Sequence, residues 1–222
     1  MNEVRVDLYA KVHKGQRQRL FELSTHAGRT DLMDDTEVAA LGTQIEAMLA
    51  ELDEHGEHED RLIHPVLSEV ARPVTEALDS EHEGLETAMR RLQTAFGALA
   101  NALEPERRSA ARELYLEINA FIATYLAHLD REEREAMPAL WSGCDDPRLI
   151  GIMATFNAGR SAEQRVTDLM KMLPAINPQE RAEVLGGIRA AGGPEGFAHA
   201  LDAARETLAA ADWKRLRTDL EG

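Results

Sequence analysis

Residues 55–67 read HGEHEDRLIHPVL and residues 128–140 read HLDREEREAMPAL. Each stretch begins with His-x-x-x-Glu: His55 with Glu59, and His128 with Glu132. A spacing of four puts both side chains on one face of a helix, one turn apart. One such pair carries little information in a Glu-rich chain, so the direction each pair faces decides its meaning. At about 100° per residue, His55 and Glu59 fall inside the apolar stripe of Leu41, Ile45, Met48, Leu52, Leu62 and Val66. His128 and Glu132 fall inside the stripe of Leu114, Ile118, Phe121, Tyr125 and Ala136. Two carboxylates directed into a helical core are costly unless a positive charge compensates them. A metal ion supplies that charge directly.

The rest of the chain has the same helical period. Ala, Leu, Glu and Arg dominate, and β-branched alternation is nearly absent. The pattern predicts helix A over about 3–27, B over 36–71, C over 73–103 and D over 106–141. Pro73 and Pro105 stand near helix starts, and Pro65 should kink helix B or end it early. Four long helices with short connections predict an all-α, up-down-up-down four-helix bundle. SGCDDPR at 142–148 interrupts the pattern, and shorter segments follow over about 148–173, 177–191, 194–209 and 210–220. The expected domains are therefore 1–145, the bundle, and 146–222, a C-terminal helical extension. The extension is expected to cover an apolar face or to mediate a homodimer.

Helices A and C each add one inward histidine, His13 and His82. With a rise of about 1.5 Å per residue, His13, His55, His82 and His128 fall within a few ångströms of one level of the bundle. Four imidazoles and two carboxylates suit iron, manganese or zinc. Six ligands exceed what one tetrahedral zinc uses. They match two ions bridged by Glu59 and Glu132, with coordination positions left over for oxygen, peroxide, nitric oxide or water. His26, His58, His64 and His199 are expected at the surface, and Glu86 is expected in solvent or behind the ligands. Tyr9 and Tyr125 are expected in the core.

Composition narrows the partners. The chain has 222 residues, 25 Lys and Arg against 40 Asp and Glu, and a net charge of -15. That balance argues against nucleic acid and anionic membranes. One cysteine, Cys144, leaves no intramolecular disulfide and no thiolate-rich metal site. The start MNEVRVDLYAK does not read as a signal peptide, and no apolar run reaches the length of a membrane span. A cytoplasmic protein is expected.

Taken together, VHKGQR on helix A, HGEHEDRLIHPVL on B, DSEHEGL on C and HLDREEREAMPAL on D resemble the hemerythrin-like HHE cation-binding family over roughly residues 5–141. The resemblance implies a non-heme di-iron centre with His13, His55, Glu59, His82, His128 and Glu132 as ligands. The oxygen carriers of the family have a second histidine one turn along helix C, where this chain has Glu86, and close helix D with His-x-x-x-x-Asp. The set here looks more like the iron-centre repair proteins and the iron- and oxygen-sensing domains. The expected function is binding or sensing of oxygen, nitric oxide or peroxide, or iron handling. The rivals are a di-iron enzyme at the same centre and a structural bundle with an adventitious ion.

Overall fold

The computed structural model describes residues 5–221, all of whose regular elements are helical. Helix α1 (Ala10–Arg29) starts later than the periodicity predicts. Asp7 is the cause: its Oδ1 accepts from the amides of Tyr9 and Ala10 at 2.9 Å each, satisfying donors that open the helix. Helix α2 (Asp35–Leu62) is capped by Asp34, which accepts from the Thr36 and Glu37 amides. It ends nine residues before the expected limit of 71. Ile63 is a turn, and α3 (His64–Ala100) restarts with Pro65 in its first turn. Proline cannot donate to the preceding turn and its ring clashes with it, so the break falls just ahead of Pro65. A second interruption at Ala71 (φ -152°, ψ 59°) precedes Pro73, and the long, regular part of α3 follows it.

Helix α4 (Glu104–Arg131) passes into a π turn over Glu132–Ala136 and then into α5 (Met137–Gly143). The Met137 amide donates to the Glu132 carbonyl, five residues back. Pro138 follows directly, and the wider turn accommodates a ring that a regular helix would reject. The later elements are α6 (Asp146–Ala158), α7 (Ala162–Met172), α8 (Pro178–Ala191), α9 (Gly193–Thr207) and α10 (Ala210–Glu221). The single helix expected over 148–173 is cut at Gly159–Ser161, where Ser161 and Gln164 form a capping box. No helix among the described residues is long and apolar enough to cross a membrane.

The chain divides into two units. The first comprises Arg5 and Arg19–Arg148 among the described residues. Its core joins Leu20 and Leu23 of α1, Leu41, Ile45 and Leu52 of α2, Leu85, Leu92 and Leu99 of α3, and Leu114, Ile118 and Phe121 of α4. The α3 leucines recur every seven residues, which keeps one stripe facing the bundle. Burying each such side chain contributes about 1.5–3 kcal/mol. At Gly42 the ring of Phe96 occupies the space a Cβ would need, and at Gly143 the Val70 side chain does.

The second unit comprises Val6–Gln18 and Leu149 onward. It has its own core, with Leu169, Leu173, Ile176, Leu185, Leu208 and Leu216 packed around Ala200, Ala203 and Ala204. Lys14 pairs with Glu180 at 2.5 Å and Lys11 with Glu183 at 3.3 Å. The first half of α1 therefore groups with the helices after 148, a division that the uniform pattern of helix A does not suggest.

Candidate metal centre

Helix α2 presents His55 and Glu59, with His55 Nε2 2.9 Å from Glu59 Oε1. Helix α3 presents His82, α4 presents His128, and the π turn opens on Glu132. These five side chains meet inside the first unit. His82 Nε2 and His128 Nε2 are 3.2 Å apart. His82 Nε2 lies 3.6 Å from Glu59 Oε2, and His128 Nε2 lies 3.4 Å from Glu132 Oε1. Glu59, His82, His128 and Glu132 each offer one ligand atom, all within 4.8 Å of one another. Glu59, His128 and Glu132 are buried, at 2%, 2% and 0% exposure.

The outward ring nitrogens are held as well. His82 Nδ1 is 2.8 Å from Asp60 Oδ1, and His128 Nδ1 is 3.0 Å from Glu81 Oε2. Arg131 forms an ion pair with the other Glu81 oxygen, its Nε 2.8 Å away. A carboxylate on the far nitrogen fixes the ring and its tautomer, so that Nε2 is the nitrogen that would carry the lone pair for a metal. Asp60 and Glu81 escaped the sequence reading because each is defined by a partner on another helix. The available signal was chemical: a ligating imidazole needs a partner for its second nitrogen.

The electrostatics fit a cation. Burial pushes the Glu132 carboxyl well above the usual carboxylate range, and the charge of Glu59 and a hydrogen bond with it push further the same way. Burial likewise raises the Tyr125 phenol, reinforced by the charges of Glu59 and Glu132. Without an ion these groups oppose one another. With one, two imidazole nitrogens and two carboxylates become a donor set of the kind iron, manganese and zinc accept. A cavity of about 50 Å³ reaches Glu59, His82 and His128, bordered by Gly56, Asp60 and Tyr125.

His13 stands on α1, in the segment that belongs to the second unit; it is buried, with its ring 5.3 Å from that of Tyr9. Glu86 is exposed and pairs with Arg90 at 3.5 Å. Tyr9 and Tyr125 are buried, and His199 is exposed. The surface expectation fails for His64, which is 4% exposed. The break at Ile63 resets the helical phase, so an angle counted from His55 through residue 64 does not apply. His64 Nδ1 instead lies 2.7 Å from Asp79 Oδ1 and 3.1 Å from Asp60 Oδ1, and its ring stacks on His82 at 5.1 Å and 14°.

The family model of the hemerythrin HHE cation binding domain matches residues 4–140. No curated protein and no solved structure matches the chain. The match spans well over half of the 222 residues and takes in all of the His/Glu cluster. The chain therefore belongs to the hemerythrin HHE cation-binding domain family.

Proposed function

We propose that this is a non-heme di-iron protein that binds or senses oxygen, nitric oxide or peroxide, or handles iron. The observation that carries the reading is the buried Glu59–Glu132 pair, which shares a space under 4.8 Å wide with His82 and His128. Its imidazoles are backed by Asp60 and Glu81. The proposed ligands are His13, His55, Glu59, His82, His128 and Glu132, which would hold two ions with the two carboxylates offsetting their charge. Iron held by these residues would supply redox chemistry and bind a small ligand. The chain's own contribution is to orient the imidazoles, neutralise the ions with two carboxylates and keep bulk water from the centre.

We propose that the metal-binding domain runs over 1–145 and the extension over 146–222 in sequence, with the first half of α1 grouped in the extension's unit. A reducing cytoplasm is the compartment that fits a lone, buried cysteine, Cys144. The test is metal content per chain on aerobically purified protein, with an absorption spectrum of the same sample. About two irons per chain with near-ultraviolet ferric bands supports the reading. Zinc or manganese alone, or under half an equivalent of metal after iron reconstitution, overturns it. Turnover of peroxide, oxygen or nitric oxide with a reductant then separates an enzyme from a binder.

A further inference from the structure

His64 is a buried polar residue that the ligand set does not use. Its ring lies outside the cluster of Glu59, His82, His128 and Glu132, yet it touches that cluster in two ways. It stacks on His82, with ring centroids 5.1 Å apart and planes at 14°. It also shares Asp60 with His82: Asp60 Oδ1 is 3.1 Å from His64 Nδ1 and 2.8 Å from His82 Nδ1. Asp79, one turn before His82 on α3, holds the same His64 nitrogen at 2.7 Å. The side chains of Asp60 and Asp79 are about half exposed, whereas that of His64 is 5% exposed. The aspartates therefore face water and hold an imidazole that is packed against a candidate ligand.

We propose that His64 is a positioning residue for His82. Together with Asp79 it fixes the face of the His82 ring and the carboxylate of Asp60, so that His82 Nε2 is held in one direction toward the centre. The inference rests on the metal-binding reading above. Its physical basis is the outer-shell rule: a group that orients a ligating histidine is worth about 10–100-fold in metal affinity. The helix break supplies the geometry. A continuous α2 would carry residue 64 to the opposite face, and the turn at Ile63 brings it back against His82.

The test uses the full chain, stripped of metal and titrated with cobalt(II) against a competing chelator. His64→Leu removes the nitrogen and the stacked ring. His64→Asn places a side-chain N–H near the position of Nδ1. Asp79→Asn is a half-exposed change that leaves the core intact. The expected result is a loss of affinity on the order of 10-fold or more for His64→Leu, with a changed cobalt absorption spectrum. His64→Asn recovers most of both, and Asp79→Asn shifts both in the same direction by less. The melting temperatures of the metal-free variants stay near that of the parent. Unchanged affinity and spectrum in His64→Leu and Asp79→Asn overturn the positioning role while leaving the metal centre standing. Loss of one whole equivalent of cobalt in His64→Leu, with the remaining sites unchanged, overturns it in favour of an ion held by His64 itself. A parent protein that takes up no cobalt overturns the metal-binding reading and the positioning role with it.

Discussion

The carboxylates of Glu59 and Glu132 approach one another from different helices, with ligand oxygens no more than 4.8 Å apart and neither side chain more than 2% exposed. Each glutamate also stands six positions ahead of a proline, Pro65 or Pro138. Both helices lose regularity after their glutamate, one by ending at Leu62 and the other by widening into a π turn. Two like charges brought together in a dry space oppose folding until a cation joins them.

That opposition gives the first prediction. Glu132→Gln removes the ionisable carboxyl, whose charged form burial and Glu59 disfavour, and keeps the shape. The metal-free protein should gain stability, on the order of 1–3 kcal/mol, while bound metal falls to half or less of the parent content. Thermal unfolding of the metal-free form and metal analysis of the purified form check the two halves. A variant that loses stability in the metal-free form contradicts the account.

The second prediction concerns the first half of α1. Residues 6–18 belong with the helices after 148, through the Lys14–Glu180 and Lys11–Glu183 pairs among others. A chain ending at residue 145 lacks those partners. Hydrogen exchange should show amides of 10–18 at least 10-fold less protected than in the full chain. Amides around Leu20 and Leu23, which sit in the other core, should keep their protection.

Glu180 supplies a pH dependence. Burial raises its carboxyl, but the Lys14 hydrogen bond, the Asn177 amide and the Lys14 and Lys11 charges outweigh that and hold it below the ordinary value of 4.5. A depressed carboxylate contributes stability that is present above its unfolded pKa and disappears as pH falls through the lower, folded one. Glu180→Gln should therefore narrow the stability difference between pH 6 and pH 3, measured by denaturant unfolding. The effect should be small, because the group is partly solvated.

Two glycines should differ in their tolerance of alanine. At Gly143 the obstacle is the Cβ and Cγ atoms of Val70, which are tied closely to the backbone. At Gly42 it is the tip of the Phe96 ring, which can swing aside. Gly143→Ala should cost about 1–3 kcal/mol, and Gly42→Ala clearly less. Denaturant midpoints of the two variants rank them.

Much of this centre is legible in the sequence because regular helices obey a fixed period. His55, Glu59, His82, His128 and Glu132 all lie upstream of any break in their own helix, or beyond Pro73 on α3, so their facing follows from counting. His64 is illegible by the same method because Pro65 restarts the count. Asp60 and Glu81 are illegible for a different reason: their importance comes from rings on other helices, and no period along one helix encodes that. The division of α1 between two units is marked by no helix-breaking proline, since none interrupts residues 10–29. The π turn shows only as Pro138, a residue that can end, bend or widen a helix.

The small cavity beside His82 has a consequence for what the protein can recognise. At about 50 Å³ it exceeds the roughly 10–15 Å³ that a single water needs, so it has room for small guests. Under the proposed reading, room of that size beside Glu59, His82 and His128 would suit a guest of two or a few atoms. Choice among such guests would then fall to the ligand set, because so small a space leaves little wall with which to tell them apart.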